Sequence, residues 1–176
     1  MKKLIICVAF LISLVAVSCE TPSLSPETAE NLIKERLSKM PGRSVSFYLG
    51  AITDPNYLPV YKKIATGKYL AFKENIFVEA AGKKMDLFEA TPEGEKIFKC
   101  DNNRCSQEVC KTEFDKFVSI VNKGGKFASV TYQVKTVCEG EIYQTFKPLA
   151  DKQYIKPEIV EEKLEFELVK NSWVIK

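Results

Sequence analysis

The chain has 176 residues, 45% of them hydrophobic and 28% charged, and 26 Lys and Arg against 23 Asp and Glu give a formal net charge of +3. That balance lacks the clustered basic excess that phosphate-backbone recognition needs, so nucleic acid is not an expected partner. There is no histidine. Its absence removes the usual general base, the triads built on it and the commonest metal ligand, and neither a metal nor a cofactor is expected.

The first element is an export signal. Lys2 and Lys3 open the chain, an apolar and small-residue run extends from Leu4 to Val17, and Ser18-Cys19 follows. Positive charge, apolar stretch and small residues in that order form a secretory leader, and about 14 apolar residues fall short of the ~20 that span a bilayer. The segment Leu14-Val15-Ala16-Val17-Ser18-Cys19 resembles the lipobox of bacterial lipoprotein precursors. The resemblance implies that residues 1–18 are a signal peptide cleaved before Cys19. It further implies a diacylglyceryl thioether on the Cys19 sulfur and a further acyl chain on the new amino group, and more than one chain makes a stable anchor. Glu20 stands where an aspartate would retain an enteric lipoprotein at the inner membrane, so the implied location is the outer membrane, facing the periplasm.

Ala16-x-Ser18 also satisfies the small-x-small rule of ordinary secretory cleavage at the same bond. Cysteine parity separates the two readings. Of six cysteines, Cys7 leaves with the leader, and Cys100, Cys105, Cys110 and Cys138 can pair off among themselves. If Cys19 is not acylated, the exported chain carries an odd thiol.

Residues 19–24 are short, polar and proline-bearing, as a tether would be. Without Lys2 and Lys3 the remaining chain is close to neutral, and about 160 residues suit one domain burying roughly two thirds of its unfolded surface. The expectation is a single disulfide-stapled α+β domain over 25–176, with N-terminal helices and an antiparallel β-sheet.

In chain order, Ser25-Pro26-Glu27 predicts a helix start, because serine caps free amides, proline tolerates the first turn and an early acid complements the dipole. Ala29, Leu32, Ile33, Leu37 and Met40 give its apolar face, Leu24 can staple onto Ala29, and Pro41-Gly42 ends it. Val45, Phe47 and Leu49 alternate as a half-buried strand. A second helix is predicted from Asn56 to Thr66, with Pro59 in its first turn and Gly67 as a left-handed stop. Ile76-Phe77-Val78 and Met85 to Phe88 read as strands joined at Gly82, and Thr91-Pro92-Glu93 starts a short helix to Phe98. Phe127 to Val137, Glu141 to Phe146, and the alternation of Leu164, Phe166 and Leu168 predict three more strands. A Lys170-Asn171-Ser172 turn then leads to Trp173-Val174-Ile175. This ending resembles the last strands of small cystatin-like and NTF2-like α+β domains, in which a tryptophan near the terminus packs on the sheet; the likeness bears on fold alone.

In an oxidising compartment four internal cysteines are expected as disulfides, with three possible connectivities. The turn-rich Asp101-Asn102-Asn103-Arg104 could bring Cys100 to Cys105. Gly124-Gly125 predicts a two-residue hairpin turn. With Phe114 to Lys123 and Lys126 to Val137 as its strands, Cys138 faces Lys111, and one bulge would bring Cys110 opposite Cys138. Cys100–Cys105 with Cys110–Cys138 is therefore the preferred pairing. A four-thiolate zinc site competes, since Cys100, Cys105 and Cys110 are evenly spaced, but it needs reduced ligands. Cys105 as a nucleophile would lack a histidine base.

Lys62-Lys63 and Lys83-Lys84 read as a solvated helix face and a hairpin tip. The acidic run Glu161, Glu162, Glu165 and Glu167 reads as a wet strand face, although paired acids could serve a hydrolase. Tyr48, Tyr57, Tyr61 and Tyr69 lie close in sequence, and Tyr57 with Tyr61 is the candidate binding surface. The expected role is non-catalytic binding or scaffolding in the envelope, with the membrane as lipid partner and an envelope protein as a second. The alternatives are an inhibitor or immunity lipoprotein that blocks a hydrolase, and a carboxylate-dependent hydrolase.

Overall fold

The structure, a computed structural model, describes residues 22–176; the expected leader, its expected cleavage bond and Cys19 lie outside them. Helix α1 spans Pro26–Lys39. The Ser25 hydroxyl caps it by accepting the Thr28 N–H at 3.2 Å, with Pro26 in the first turn and Arg36 and Lys39 in the last. Ala29, Ile33 and Leu37 are buried together with Leu24. Met40, expected on that apolar face, is exposed because it follows the helix in extended backbone.

Strand β1 (Arg43–Tyr48) buries Val45 and Phe47, and β2 is the pair Gly50–Ala51. Helix α2 (Leu58–Ile64) holds Pro59 in its first turn, as expected, and Gly67 beyond it has φ +85°. It starts later than Asn56 because Asp54 makes a turn, its carboxylate accepting the Asn56 N–H at 2.8 Å. Strands β3 (Leu70–Val78) and β4 (Lys83–Ala90) meet across Gly82, at φ +62°. Thr91 caps α3 (Pro92–Ile97) by accepting the Gly94 N–H at 3.2 Å. There follow β5 (Lys99–Asp101), β6 (Arg104–Asn122), β7 (Phe127–Val137), helix α4 (Gly140–Lys152), β8 (Glu158–Val169) and β9 (Ser172–Ile175).

One expectation is overturned: Glu141 to Phe146 is no strand but the first half of α4. Tyr143, Phe146, Leu149 and Ala150 are buried at helical spacing, with Pro148 inside the helix. Isoleucine, tyrosine, threonine and phenylalanine favour strands locally, and burial of one face overrides that preference. Helices therefore extend beyond the N-terminal half.

The larger sheet runs β1-β6-β7-β8-β9 with β5 alongside β6, and a second sheet runs β2-β4-β3; every pairing is antiparallel. The fold is α+β, with two disulfides. Two core clusters result. In one, Phe47, Phe98 and Phe146 from β1, the end of α3 and α4 pack with ring centroids 4.9 to 5.8 Å apart. In the other, α1 lies on one face of β6 to β9, over Ala128, Val130, Tyr132 and Phe166. Among the described residues no helix is long and apolar enough to cross a membrane.

The β6–β7 register explains the second disulfide. The turn takes three residues, Gly124-Gly125-Lys126, closed by the Lys123 N–H on the Phe127 carbonyl at 2.9 Å, and both glycines have positive φ. That is one residue more than predicted, and the strand compensates with two bulges in place of one. Register steps at Asp115 and at Val118 bring Lys111 opposite Val137, so Cys110 faces Cys138 and the two are bonded. Cys100 and Cys105 face each other across the β5–β6 hairpin and form the other bond.

Closing 28 residues constrains the unfolded chain more than closing five. Loop-closure entropy assigns about 3.5 kcal/mol to the long ring and about 2 kcal/mol to the short one. Urea unfolding of Cys110→Ala/Cys138→Ala is expected to show a larger loss than Cys100→Ala/Cys105→Ala. The reverse order would contradict the loop-closure account of the two bonds.

Candidate functional site

A cleft of about 490 Å³ opens where β1 ends. Its lining comes from four places: Ser46, Tyr48 and Leu49 from β1 and its end, Ala51 to Asp54 and Tyr57 from β2 and the segment leading into α2, Asn103 and Arg104 from the β5–β6 hairpin, and Gln153 from the end of α4. Tyr61, on the buried face of α2, forms its inner wall.

The Tyr61 ring meets Phe88 edge-on, centroids 4.9 Å apart, and its hydroxyl accepts the Tyr48 backbone N–H at 2.5 Å. Burial raises its pKa above the usual tyrosine range, against the partly offsetting hydrogen bond from Tyr48. Gln153 holds Ser46 from both sides of its peptide: the carboxamide oxygen accepts the Ser46 N–H at 3.0 Å, and the carboxamide N–H donates to the Ser46 carbonyl at 2.6 Å. Tyr48, 50% exposed, and half-buried Tyr57 turn aromatic surface to the opening. Lys152 Nζ stands 5.8 Å from the Tyr57 ring. Asp54 supplies a carboxylate, and exposed Arg104 supplies a guanidinium that has no ion-pair partner among the described residues.

The Cys100–Cys105 bond fixes the hairpin whose turn carries Asn103, and the Leu49 N–H donates to the Asn103 carbonyl at 2.8 Å. The cleft thus combines three tyrosines with aliphatic and small polar side chains, and one positive and one negative side chain are exposed on its lining. Such a surface can stack on flat or ringed groups and pair with a polar or charged substituent.

Of the residues singled out in the sequence, Tyr57 and Tyr61 come together here, Tyr57 at the N-cap of α2 and Tyr61 within its first turns. Tyr69 packs elsewhere, near Phe146 at 6.5 Å. The acidic run lies on β8, away from the lining: Glu162 accepts the Tyr132 hydroxyl at 2.7 Å, and Glu165 pairs with Lys123 at 2.7 Å. Lys62 pairs with Glu74 at 3.4 Å and stands 4.7 Å from the Phe72 ring, while Lys83 and Lys84 follow the Gly82 turn in exposed positions. Sequence reasoning missed Arg104, Gln153 and Asp54; Asp54 alone carried a local signal, as an Asp-Pro turn residue.

Comparison of the chain with family models, with curated proteins and with solved structures found no match.

Replacing Tyr61 with Phe leaves the Tyr48 N–H without its acceptor and is expected to cost about 1 kcal/mol. The raised pKa gives a second signature. The folded state holds the phenolic proton more tightly than the unfolded chain, so this contribution to stability is intact below pH ~10 and is lost as pH rises above it. Urea midpoints at pH 8 and pH 11 should fall further apart in the wild type than in Tyr61→Phe.

Proposed function

We propose that the protein is a lipid-anchored envelope protein of the periplasmic face that binds a partner, without catalysis, through the Tyr48–Tyr57–Tyr61 cleft. The observation that carries the anchor is the cysteine pairing. Cys100, Cys105, Cys110 and Cys138 are bonded among themselves, so none of the described cysteines is left to pair with Cys19, at the end of the lipobox-like segment. A thioether there removes the odd thiol. The cleft supports the binding role because its aromatic walls are braced by hydrogen bonds and its charged side chains, Asp54 and Arg104, are at the opening.

The inhibitor reading is favoured by one feature. Ile76 and Phe77, the latter 60% exposed, stand near the end of the β3–β4 hairpin, and an exposed apolar tip is what insertion into another protein's active site requires.

Metabolic labelling with a palmitate analogue should mark the wild type and not Cys19→Ser, and the variant should move from the membrane to the soluble periplasmic fraction. Retention of the unlabelled variant on membranes would refute the anchor. In affinity capture from membranes, the pair Tyr57→Ala and Arg104→Ala is expected to lose a partner that Phe77→Ala keeps; the opposite pattern supports the inhibitor.

A further inference from the structure

The chain joins the fold at one end of the larger sheet. Leu24 is 2% exposed, and its N–H donates to Asn122 Oδ1 at 3.0 Å. Asn122 is the last residue of β6, beside the Gly124-Gly125-Lys126 turn. The β8–β9 turn, Lys170-Asn171, lies at the same end: the Leu168 N–H donates to the Lys126 carbonyl at 2.8 Å, and Val169 faces Ser172 across the hairpin. Five peptide steps separate Cys19 from Leu24. Whatever path they take, covalent geometry limits their reach to about 18 Å.

A lipid on Cys19 would therefore keep this end of the sheet within about 18 Å of its attachment point. Its surface suits that place. Val121 is 53% exposed, Phe127 44% and Val169 42%, while Lys126 and Lys170 project from the two turns without ion-pair partners among the described residues. Lys123 is tied to Glu165, Lys176 Nζ stands 5.8 Å from the Phe127 ring, and Glu27 and Glu167 add negative charge at this end. The end is thus amphipathic but not strongly basic. Apolar contact with the acyl boundary would supply most of its attraction, with the lysine stems reaching outward to the headgroups.

We propose that the β6–β7 and β8–β9 turns form the membrane-seated end of the protein, and that the tyrosine cleft is displayed at the far end. The proposal rests on the lipid-anchor reading. Strand β6 runs from Asn122, at the seated end, to Arg104, in the cleft, 18 residue steps or at most about 60 Å of strand. An anchored copy would hold its binding site well clear of the bilayer, toward partners in the periplasm or on a facing layer.

The test uses tryptophan quenching on vesicles of phosphatidylcholine brominated near the headgroup. Trp173, the one tryptophan in the chain, lies in β9 beside the seated turn. The processed chain, oxidised so that Cys19 holds the free thiol, is coupled through Cys19 to a maleimide phospholipid. Emission is compared for the wild type, for Val169→Trp/Trp173→Phe and for Lys99→Trp/Trp173→Phe, whose probe lies near the cleft. Quenching is expected to be several-fold stronger for the first two than for the third. Equal quenching at both ends, stronger quenching at Lys99→Trp, or no quenching with the protein sedimenting as a dimer through this end would each overturn the proposal. Because the anchor is made chemically, the orientation result stands apart from the palmitate labelling, which alone decides whether cells acylate Cys19.

Discussion

One strand takes its hydrogen-bond partners from two sources, and the molecule is organised by that division. Along Arg104 to Cys110, β6 pairs with β1 and with β5; along Lys111 to Asn122 it pairs with β7. Its first half puts Cys105 and Val109 into the aromatic cluster around Phe146, and its second half puts Phe114, Phe117 and Ile120 under α1. The changeover falls at Cys110, where the disulfide to Cys138 clamps the start of the α4 connection to the strand. Gly42 packs at the same point, so closely that a Cβ there would overlap the Cys110 carbonyl oxygen. Chain direction, cross-link and close approach thus converge on one short stretch, and the two clusters are held in fixed relation through it.

Much of this order is written locally. Ser25-Pro26-Glu27 and Thr91-Pro92-Glu93 announce their helices because capping is a property of four adjacent residues. The Lys170-Asn171 turn, both residues at positive φ, is equally local. Cysteine connectivity is legible through register, because the one residue by which the turn exceeds a two-glycine turn and the second bulge offset each other. What could not be read depends on distant partners. The residues from Glu141 to Phe146 satisfy strand propensity over six positions, and only the continuation through Leu149 and Ala150, beyond a proline that ordinarily ends helices, reveals the helical face. The N-terminal half of β6 carries mixed polar residues whose pairing with β1 lies some sixty positions away, and nothing nearby predicts it.

The cleft divides in the same way. Tyr57 and Tyr61 stand at the N-cap and within the first turns of one helix, so their spacing brings them together in any structure that keeps the helix. Tyr48, Arg104 and Gln153 reach the same place through strand pairing and the end of a helix that the sequence hid. A site assembled across three long-range connections leaves little trace in any one of them.

Gln153 and Tyr61 have a further effect on β1. As the terminal strand of its sheet, β1 presents outward-facing backbone groups that could template another strand. The glutamine carboxamide occupies both groups of Ser46, as a neighbouring peptide would, and the phenol takes the amide of Tyr48. Edge-to-edge pairing of one copy with the next through β1 is thereby hindered. Two side chains thus serve on β1 as the safeguard that lysines or prolines provide on other exposed strands.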